Sequence, residues 1–284
     1  MPRTVYVNGR YVPADRAAVH VEDRGYQFSD GVYEVILVRR GRMVDGEPHL
    51  ARLDRSLAEL EIEPPIGRAA LEAVLAETVR RNRIVEGFLY IQATRGVAPR
   101  DHLFPAKPRA SLVCSAKRRT WPEQGAAPAG VTAITVPDVR WGRCDIKSVG
   151  LLPNVLAKEK ARRAGAAEAL LIGDDGTVRE GGSSNLWIVD ADGGLHTHPL
   201  DHHILGGVTR GAVKSLAEGA QLRVSESKFD LETLFGAREA FVTSATSFVK
   251  PLVKVDGHTI GDGEVGPVTR RLFDLYVTHT LEGP

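Results

Sequence analysis

Short apolar-rich runs at residues 4–7 and 10–12 flank Asn8-Gly9. Two such runs around an Asn-Gly pair predict a β-hairpin with a two-residue turn. Residues 32–38 read as a strand, entered through Asp30-Gly31 and turned back at Gly41-Arg42 into Met43-Val44. Pro48 then opens a helix whose apolar face is Leu50, Leu53, Leu57 and Leu60, the spacing of one face of an amphipathic helix. A second helix over residues 68–82 and strands over 88–94 and 111–116 complete this half. Its strands and helices come in blocks rather than in strict alternation, which predicts an α+β arrangement.

The pattern lapses between Trp121 and Gly130, where Pro, Gly and Ala dominate. Such a stretch reads as a linker. Beyond it come a strand over 131–136, a helix over 154–164 capped by Asn154, and strands over 169–172 and 186–189. Asp175-Gly176 and Asp192-Gly193 supply turns. A helix begins near Thr209, a short one follows Asp230, and strands cover 239–243 and 251–255. The last helix, over 268–281, carries Leu272, Leu275 and Tyr276 on one face. The expected organisation is a small N-terminal α+β domain over 1–120, a linker over 121–130 and a larger C-terminal domain over 131–284. There is no internal repeat and no low-complexity tract.

Composition removes several classes of function. With 43% hydrophobic and 26% charged residues the chain is an ordinary globular protein. A net charge of +1 argues against a nucleic-acid or anionic-membrane partner. The two cysteines, Cys114 and Cys144, have neither CxxC spacing nor histidines at zinc-finger spacing, so neither a disulfide framework nor a zinc site is expected. Met1-Pro2 leads straight into strand-like sequence without an apolar signal segment, and no stretch reaches membrane-spanning length. A cytoplasmic location is the default. The histidines at 196, 198, 202 and 203 form HxH and HH pairs without a Cys or carboxylate to complete a site, which speaks against a metal.

Five segments carry candidate chemistry. Residues 145–154 place Lys147 between apolar residues ahead of a Gly/Pro turn. A lysine in a partly apolar wall can act as an amine nucleophile; alone, a lysine beside a turn is ordinarily a surface charge. Residues 180–185, Glu-Gly-Gly-Ser-Ser-Asn, lie between strand signals. Their glutamate could pair with a pyridinium nitrogen, the glycines permit close backbone approach, and the serines offer hydroxyls. Gly206-Gly207-Val208-Thr209 leads into a helix, and Thr243-Ser244-Ala245-Thr246-Ser247 ends a strand. Both suit an anion such as phosphate, and neither is a Walker loop. Arg100 and His102 stand two apart just beyond a strand, so an extended segment would present both donors on one side, suited to a substrate carboxylate.

These segments occur together and in order. With Glu22-Asp23-Arg24-Gly25-Tyr26-Gln27-Phe28-Ser29-Asp30-Gly31-Val32-Tyr33-Glu34, they make the chain resemble, over nearly its whole length, the fold-type IV pyridoxal-phosphate (PLP) enzymes, or class IV aminotransferases. Within that family it is most similar to the D-amino-acid (D-alanine) aminotransferase subgroup. The resemblance implies a mixed α/β, two-domain fold with a β-barrel-like core in the C-terminal domain. It implies PLP as cofactor, held by Lys147 through a Schiff base, with Lys147 afterwards shuttling the substrate proton. Glu180 pairs with the pyridine nitrogen. Arg52 joins Val208, Thr209, Ser244 and Ala245 at the phosphate, with Ser183 and Ser184 near the ring and phosphate. Tyr33, Arg100 and His102 form the substrate-carboxylate trap. The expected reaction is D-alanine plus 2-oxoglutarate giving pyruvate plus D-glutamate, in a homodimer with the active site at its interface.

Ala245 departs from the threonine frequent at that position in the family, which removes one hydroxyl and costs on the order of 1 kcal/mol or less of cofactor affinity. The same fold implies three alternatives: a branched-chain L-amino-acid transaminase, an (R)-amine transaminase and an aminodeoxychorismate lyase. A non-catalytic binding module is disfavoured, because it would need neither Lys147 nor Glu180.

Overall fold

The computed structural model describes residues 3–282. Met1-Pro2, read above as the run-in to the first strand, and Gly283-Pro284, the end of the expected C-terminal domain, lie outside the described residues. Contacts divide the described chain into two units. One takes residues 3–121 with 146–150, and the other takes 122–145 with 151–282.

The first unit is built on a six-stranded sheet. Its elements are β1 (Thr4–Val7), β2 (Arg10–Pro13), α1 (Arg24–Phe28), β3 (Gly31–Arg39), β4 (Arg42–Met43), α2 (Gly46–Glu59), α3 (Arg68–Asn82), β5 (Gly87–Thr94) and β6 (Ser111–Arg118). The strand order is β2-β1-β6-β5-β3-β4, and every pairing is antiparallel. The first hairpin turns at Asn8-Gly9, both with positive φ, as its two-residue loop requires. The second turns at Arg40-Gly41, because Arg39 pairs with Arg42; the turn is one residue earlier than the sequence pattern suggests. Val32, Ile36 and Val38 of β3, Leu89 and Ile91 of β5, and Leu112 and Cys114 of β6 meet Leu50, Leu53 and Leu57 of α2 and Leu71 and Leu75 of α3. Fully burying each leucine contributes roughly 1.5–3 kcal/mol. Leu60, expected on the same face, is the α2 C-cap and only partly buried.

Trp121, placed in the linker by composition, is buried in this unit. Its indole N–H is shared between the carbonyls of Val38 and Gly87, each at 3.1 Å. Residues 146–150 also belong here, although they lie within 131–284. Ile146 joins the core, Val149 N–H donates to the Gly31 carbonyl at 3.0 Å, and Val32 forms an isolated bridge with Ser148.

The second unit holds a nine-stranded mixed sheet. Its strands are β7 (Val131–Pro137), β8 (Glu168–Ile172), β9 (Val178–Gly181), β10 (Asn185–Val189), β11 (Leu195–Thr197), β12 (Val224–Glu226), β13 (Glu239–Ser244), β14 (Phe248–Val255) and β15 (His258–Thr259). Its helices are α4 (Leu152–Arg163), α5 (Val208–Gly219), α6 (Leu231–Phe235) and α7 (Pro267–Glu282). The order is β12-β11-β10-β13-β14-β7-β8-β9, with β15 on β14. The far end curls back, because Gly181 at the end of β9 bridges to Ser184 just before β10. This is a half-barrel. Leu170, Val178, Leu186, Ile188, Val242 and Leu252 pack together in its core.

Three local expectations change. Asn154 does not cap α4: the helix starts at Leu152 with Leu151 at the N-cap, where Pro153 is tolerated in the first turn. The Asn154 amide donates instead to the Gly182 carbonyl at 3.0 Å. Strand β14 starts at Phe248, three residues before the expected 251. On α7 the buried face is Thr269, Leu272, Phe273, Tyr276, Val277 and Thr280, and Leu275 is only partly buried. Strands β9, β11, β12 and β15 and helix α1 are too short for their periodicity to register.

Candidate active site

The candidate residues fall into two groups, one in each unit. In the first unit, β3 alternates Val32, Glu34, Ile36 and Val38 toward the core, and all four are fully buried. A carboxylate in that row needs partners, and α2 supplies them. Positions 49, 52 and 56 lie on one helix face. Arg52 grips Glu34 with two parallel bonds, Nε to Oε1 at 2.7 Å and Nη2 to Oε2 at 2.8 Å. His49 Nδ1 meets Oε2 at 2.8 Å. An ionised carboxylate only accepts, so His49 carries its proton on Nδ1. Burial alone would raise the Glu34 pKa; the bonds and charge of Arg52, with His49, hold it down at about 2. Burial keeps the His49 pKa below its ordinary value.

Ser56, one turn further along α2, accepts the Lys147 backbone N–H at 3.3 Å. Tyr33 N–H donates to the Lys147 carbonyl at 3.0 Å, so the lysine backbone is tied to both α2 and β3. The Lys147 ammonium nitrogen stands 4.1 Å from the centroid of the Tyr33 ring, and Tyr90 lies on that ring at 5.9 Å. Arg100 and His102 are exposed on the connection from β5 to β6. Both lie against Phe28 of α1: the Arg100 guanidinium is 5.0 Å from its ring centroid, and the His102 ring is at 5.4 Å.

In the second unit, Glu180 is the penultimate residue of β9 and is 4% exposed. Its Oε1 pairs with Arg140 Nη1. Its Oε2 accepts from Asn185 Nδ2 at 2.9 Å and from Leu205 N–H at 3.2 Å. Arg140 is itself oriented by Asp138, with Nε to Oδ1 at 2.9 Å and Nη2 to Oδ2 at 2.8 Å. Burial pushes the Glu180 carboxyl up to about 7, against the opposing pull of Arg140 and the Leu205 N–H. Asn185 also donates to the Leu205 carbonyl at 2.8 Å. Gly207 lies so close that a Cβ there would run into Asn185 Oδ1.

Gly207 is also the N-cap of α5, and no side chain caps that helix. Val208 and Thr209 form its first turn, and the Thr209 hydroxyl meets the Tyr276 hydroxyl at 3.3 Å. Helix α5 packs on β13, whose end carries Ser244. The Ser244 and Ser247 hydroxyls are 2.6 Å apart across the tight turn that holds Ala245. Ser184 is buried and donates to Glu168 Oε2 at 2.9 Å, while Ser183 is exposed. Three of the four histidines at 196–203 have separate partners for their rings: His196 on Asp190 at 2.7 Å, His198 on the Pro199 carbonyl at 2.8 Å, and His202 on Asp145 at 3.2 Å. Among the described residues no group of three or more His, Cys, Asp or Glu side chains could hold a metal ion.

Within the first unit, Lys147 thus meets Tyr33, and Arg100 meets His102 on one ring; Arg52 is committed to Glu34. Sequence reasoning missed Glu34, His49, Phe28, Arg140 and Asn185. Glu34 was detectable as a charge in the apolar row of β3. Asp138-x-Arg140 has the spacing that puts two side chains on one side of an extended segment. Phe28 falls within the 22–34 stretch, but nothing local marks it as the ring that Arg100 and His102 share.

Comparison with known proteins adds a family. Residues 31–255 match the amino-transferase class IV family. The D-alanine aminotransferase of Staphylococcus haemolyticus is 42% identical over 277 residues, covering 96% of this chain and 97% of that protein. The D-alanine aminotransferase of Bacillus licheniformis is 43% identical, covering 94% of each. Among solved structures, the T.th. branched-chain amino acid aminotransferase with pyridoxamine 5′-phosphate is similar, with a TM-score of 0.90 and 27% identity. That match covers 100% of this chain and 96% of the other.

Proposed function

The chain belongs to the class IV aminotransferases, and we propose from that premise that it moves the amino group of a D-amino acid, D-alanine first, to 2-oxoglutarate with pyridoxal 5′-phosphate. The fold is that of the fold-type IV PLP enzymes. The donors present fit this cofactor. Glu180 is a buried carboxylate with its pKa raised to about 7, a setting suited to a cationic N–H partner, which would favour its ionised form. Helix α5 begins at Gly207 without a side-chain cap, and N–H groups at such a start suit a phosphate.

When bound, PLP supplies a carbonyl that condenses with primary amines and a protonated ring that draws electron density from the substrate α-carbon. Lys147 is the amine that binds the cofactor and, once free, the base that takes the α-proton. The single observation that carries the enzyme reading is the fixing of Lys147: its backbone is tied to β3 and α2, and its ammonium is set against the Tyr33 ring. A base held on rigid elements keeps its geometry through the reaction. Glu180, oriented by Arg140 and Asn185, keeps the ring-nitrogen proton in place. Arg52, Ser183, Ser184, Val208, Thr209, Ser244 and Ala245 hold the cofactor, chiefly its phosphate. Tyr33, Arg100 and His102 receive the substrate carboxylate, with arginine suited to bidentate binding.

The working form is a homodimer in which part of each carboxylate trap comes from the neighbouring protomer. The exposed apolar side chains Leu103 and Phe104, next to His102 in the chain, and Tyr26 on α1, the helix whose Phe28 meets Arg100 and His102, support that assembly. Cys114 and Cys144 are unpaired with each other and buried, in keeping with a cytoplasmic enzyme. No helix among the described residues is long and apolar enough to cross a membrane.

The likeness to branched-chain enzymes favours one second reading, transamination of L-leucine. The deciding experiment is a coupled assay of the PLP-loaded protein with 2-oxoglutarate and, in parallel, D-alanine, L-leucine and (R)-1-phenylethylamine. Pyruvate from D-alanine, with the other donors slow, is the expected result. Preference for L-leucine or the amine would overturn the D-amino-acid reading and leave Lys147 and Glu180 in their roles. Silence on all three would bring the lyase forward.

A further inference from the structure

Arg100 and His102 stand exposed on the β5–β6 connection, residues 95–110, which has no helix or strand of its own. Connections of that length are mobile unless something anchors them. Donors that fix a small substrate need a stationary support, because a displacement of about 1 Å is felt strongly in turnover. The first unit contains such a support, which the mechanism above does not use.

We propose that Arg24 is a positioning residue for the substrate-carboxylate donors: held by Asp30, it clamps the backbone on both sides of His102 and, with Phe28, sets where Arg100 and His102 stand. The inference rests on the trap proposed above. Arg24 lies in α1 and is 3% exposed. Its Nε donates to Asp30 Oδ2 at 2.7 Å. Its Nη1 donates to the Asp101 carbonyl at 2.6 Å and lies 3.3 Å from the Leu103 carbonyl, so the two clamped carbonyls bracket His102. The guanidinium carbon lies 4.8 Å from the Phe28 ring centroid. Arg24, Arg100 and His102 therefore all contact one aromatic ring.

Asp30 does not serve Arg24 alone. Arg95, equally buried, donates to it through Nε at 2.8 Å and Nη2 at 3.1 Å. Arg95 also donates to the carbonyls of Leu60 and Glu61 at 2.6 and 2.8 Å, and its guanidinium carbon lies 3.6 Å from the Phe104 ring centroid. One carboxylate thus joins the start of the connection, at Arg95, to its middle, at residues 101–103. It stands at the entrance to β3, three residues before Tyr33, the third carboxylate donor. Burying two guanidinium groups is costly. Charge-assisted bonds to fixed carbonyls are among the stronger hydrogen bonds. A lysine could not reproduce them, since its donors leave a single nitrogen, whereas Arg24 reaches Asp30 and the two carbonyls from separate nitrogens.

The test uses the PLP-loaded enzyme and compares wild type, Arg24→Lys, Phe28→Leu and Arg100→Ala. The readouts are KM and kcat for D-alanine, the inhibition constant of propionate and bound PLP by absorbance. Propionate is D-alanine without its amino group, so it reports the carboxylate donors alone. Arg24→Lys and Phe28→Leu should each raise KM for D-alanine about tenfold and weaken propionate in parallel, with kcat within about twofold and PLP retained. If Arg100→Ala raises KM while both other variants leave KM and propionate unchanged, Arg24 and Phe28 do not position the donors and the inference is overturned. If Arg100→Ala itself leaves both unchanged, the trap assignment fails and the inference falls with it. Should Arg24→Lys not fold, Phe28→Leu decides by the same readings.

Discussion

Arg52 and Glu34 are locked together in parallel: two guanidinium nitrogens donate to the two carboxylate oxygens at 2.7 and 2.8 Å. The glutamate is fully buried and the arginine side chain is 10% exposed. Such a fork fixes the plane of the guanidinium as well as its position. Arg52 therefore comes to its proposed phosphate role already oriented, by a carboxylate that makes no contact with substrate in the mechanism proposed here.

Removing that carboxylate should be expensive. Glu34→Ala leaves the Arg52 charge buried without its partner, and unfolding stability should fall by about 3 kcal/mol or more. The Glu34 pKa is depressed from 4.5 to about 2, so its contribution is complete above pH 4.5 and is lost as pH falls through about 2. Denaturation of wild type and Glu34→Gln should therefore differ by a constant amount above pH 4.5, and the difference should shrink toward pH 2. A gap independent of pH would mean that Glu34 is not held ionised by Arg52.

Lys147→Ala should abolish transamination, lowering kcat by about a thousandfold or more, since both the covalent anchor and the base are lost. PLP should still bind through the remaining donors, with changed absorbance, and added methylamine should restore part of the turnover. Undiminished turnover in Lys147→Ala would remove this lysine from the chemistry.

Much of this arrangement is legible in the chain. Helix 68–82 begins and ends where the pattern puts it, because Leu71 and Leu75 stand a turn apart and no Gly or Pro interrupts. The Asn8-Gly9 hairpin follows from turn chemistry alone. Other features depend on contacts distant in sequence. Arg140 reaches Glu180 across 40 positions, from a stretch without helix or strand. Asn154 looks like a cap, yet its amide finds the Gly182 carbonyl 28 residues away, which no local rule anticipates. Arg24 lay inside a motif singled out from sequence, but its carbonyl acceptors lie 77 and 79 residues further on.

Glu180 should make the cofactor-free protein pH-sensitive in the sense opposite to Glu34. Its pKa is raised from 4.5 to about 7 by burial. The folded state binds that proton more tightly, so the cost of ionising it is absent below pH 4.5, grows between 4.5 and 7, and is complete above 7. Relative to wild type, cofactor-free Glu180→Gln should gain stability across that window, by an amount on the order of 3 kcal/mol. Thermal melts of the two proteins at several pH values measure this directly. Parallel curves would show that Arg140 already offsets the burial.

Gly207 tests whether Asn185 must hold its place. A methyl group at 207 would run into Asn185 Oδ1, and Asn185 is the residue that ties Glu180 to the Leu205 carbonyl at 2.9 and 2.8 Å. Gly207→Ala should push the amide aside, remove one donor from Glu180 and disturb the start of α5 at the same time. PLP affinity should fall about tenfold, while KM for D-alanine in the fully loaded enzyme should change little, because Tyr33, Arg100 and His102 are untouched. Titration of the cofactor-free protein with PLP, followed by kinetics at saturating PLP, separates the two effects. A rise in KM at full loading, with PLP affinity intact, would place Gly207 on the substrate side of the chemistry.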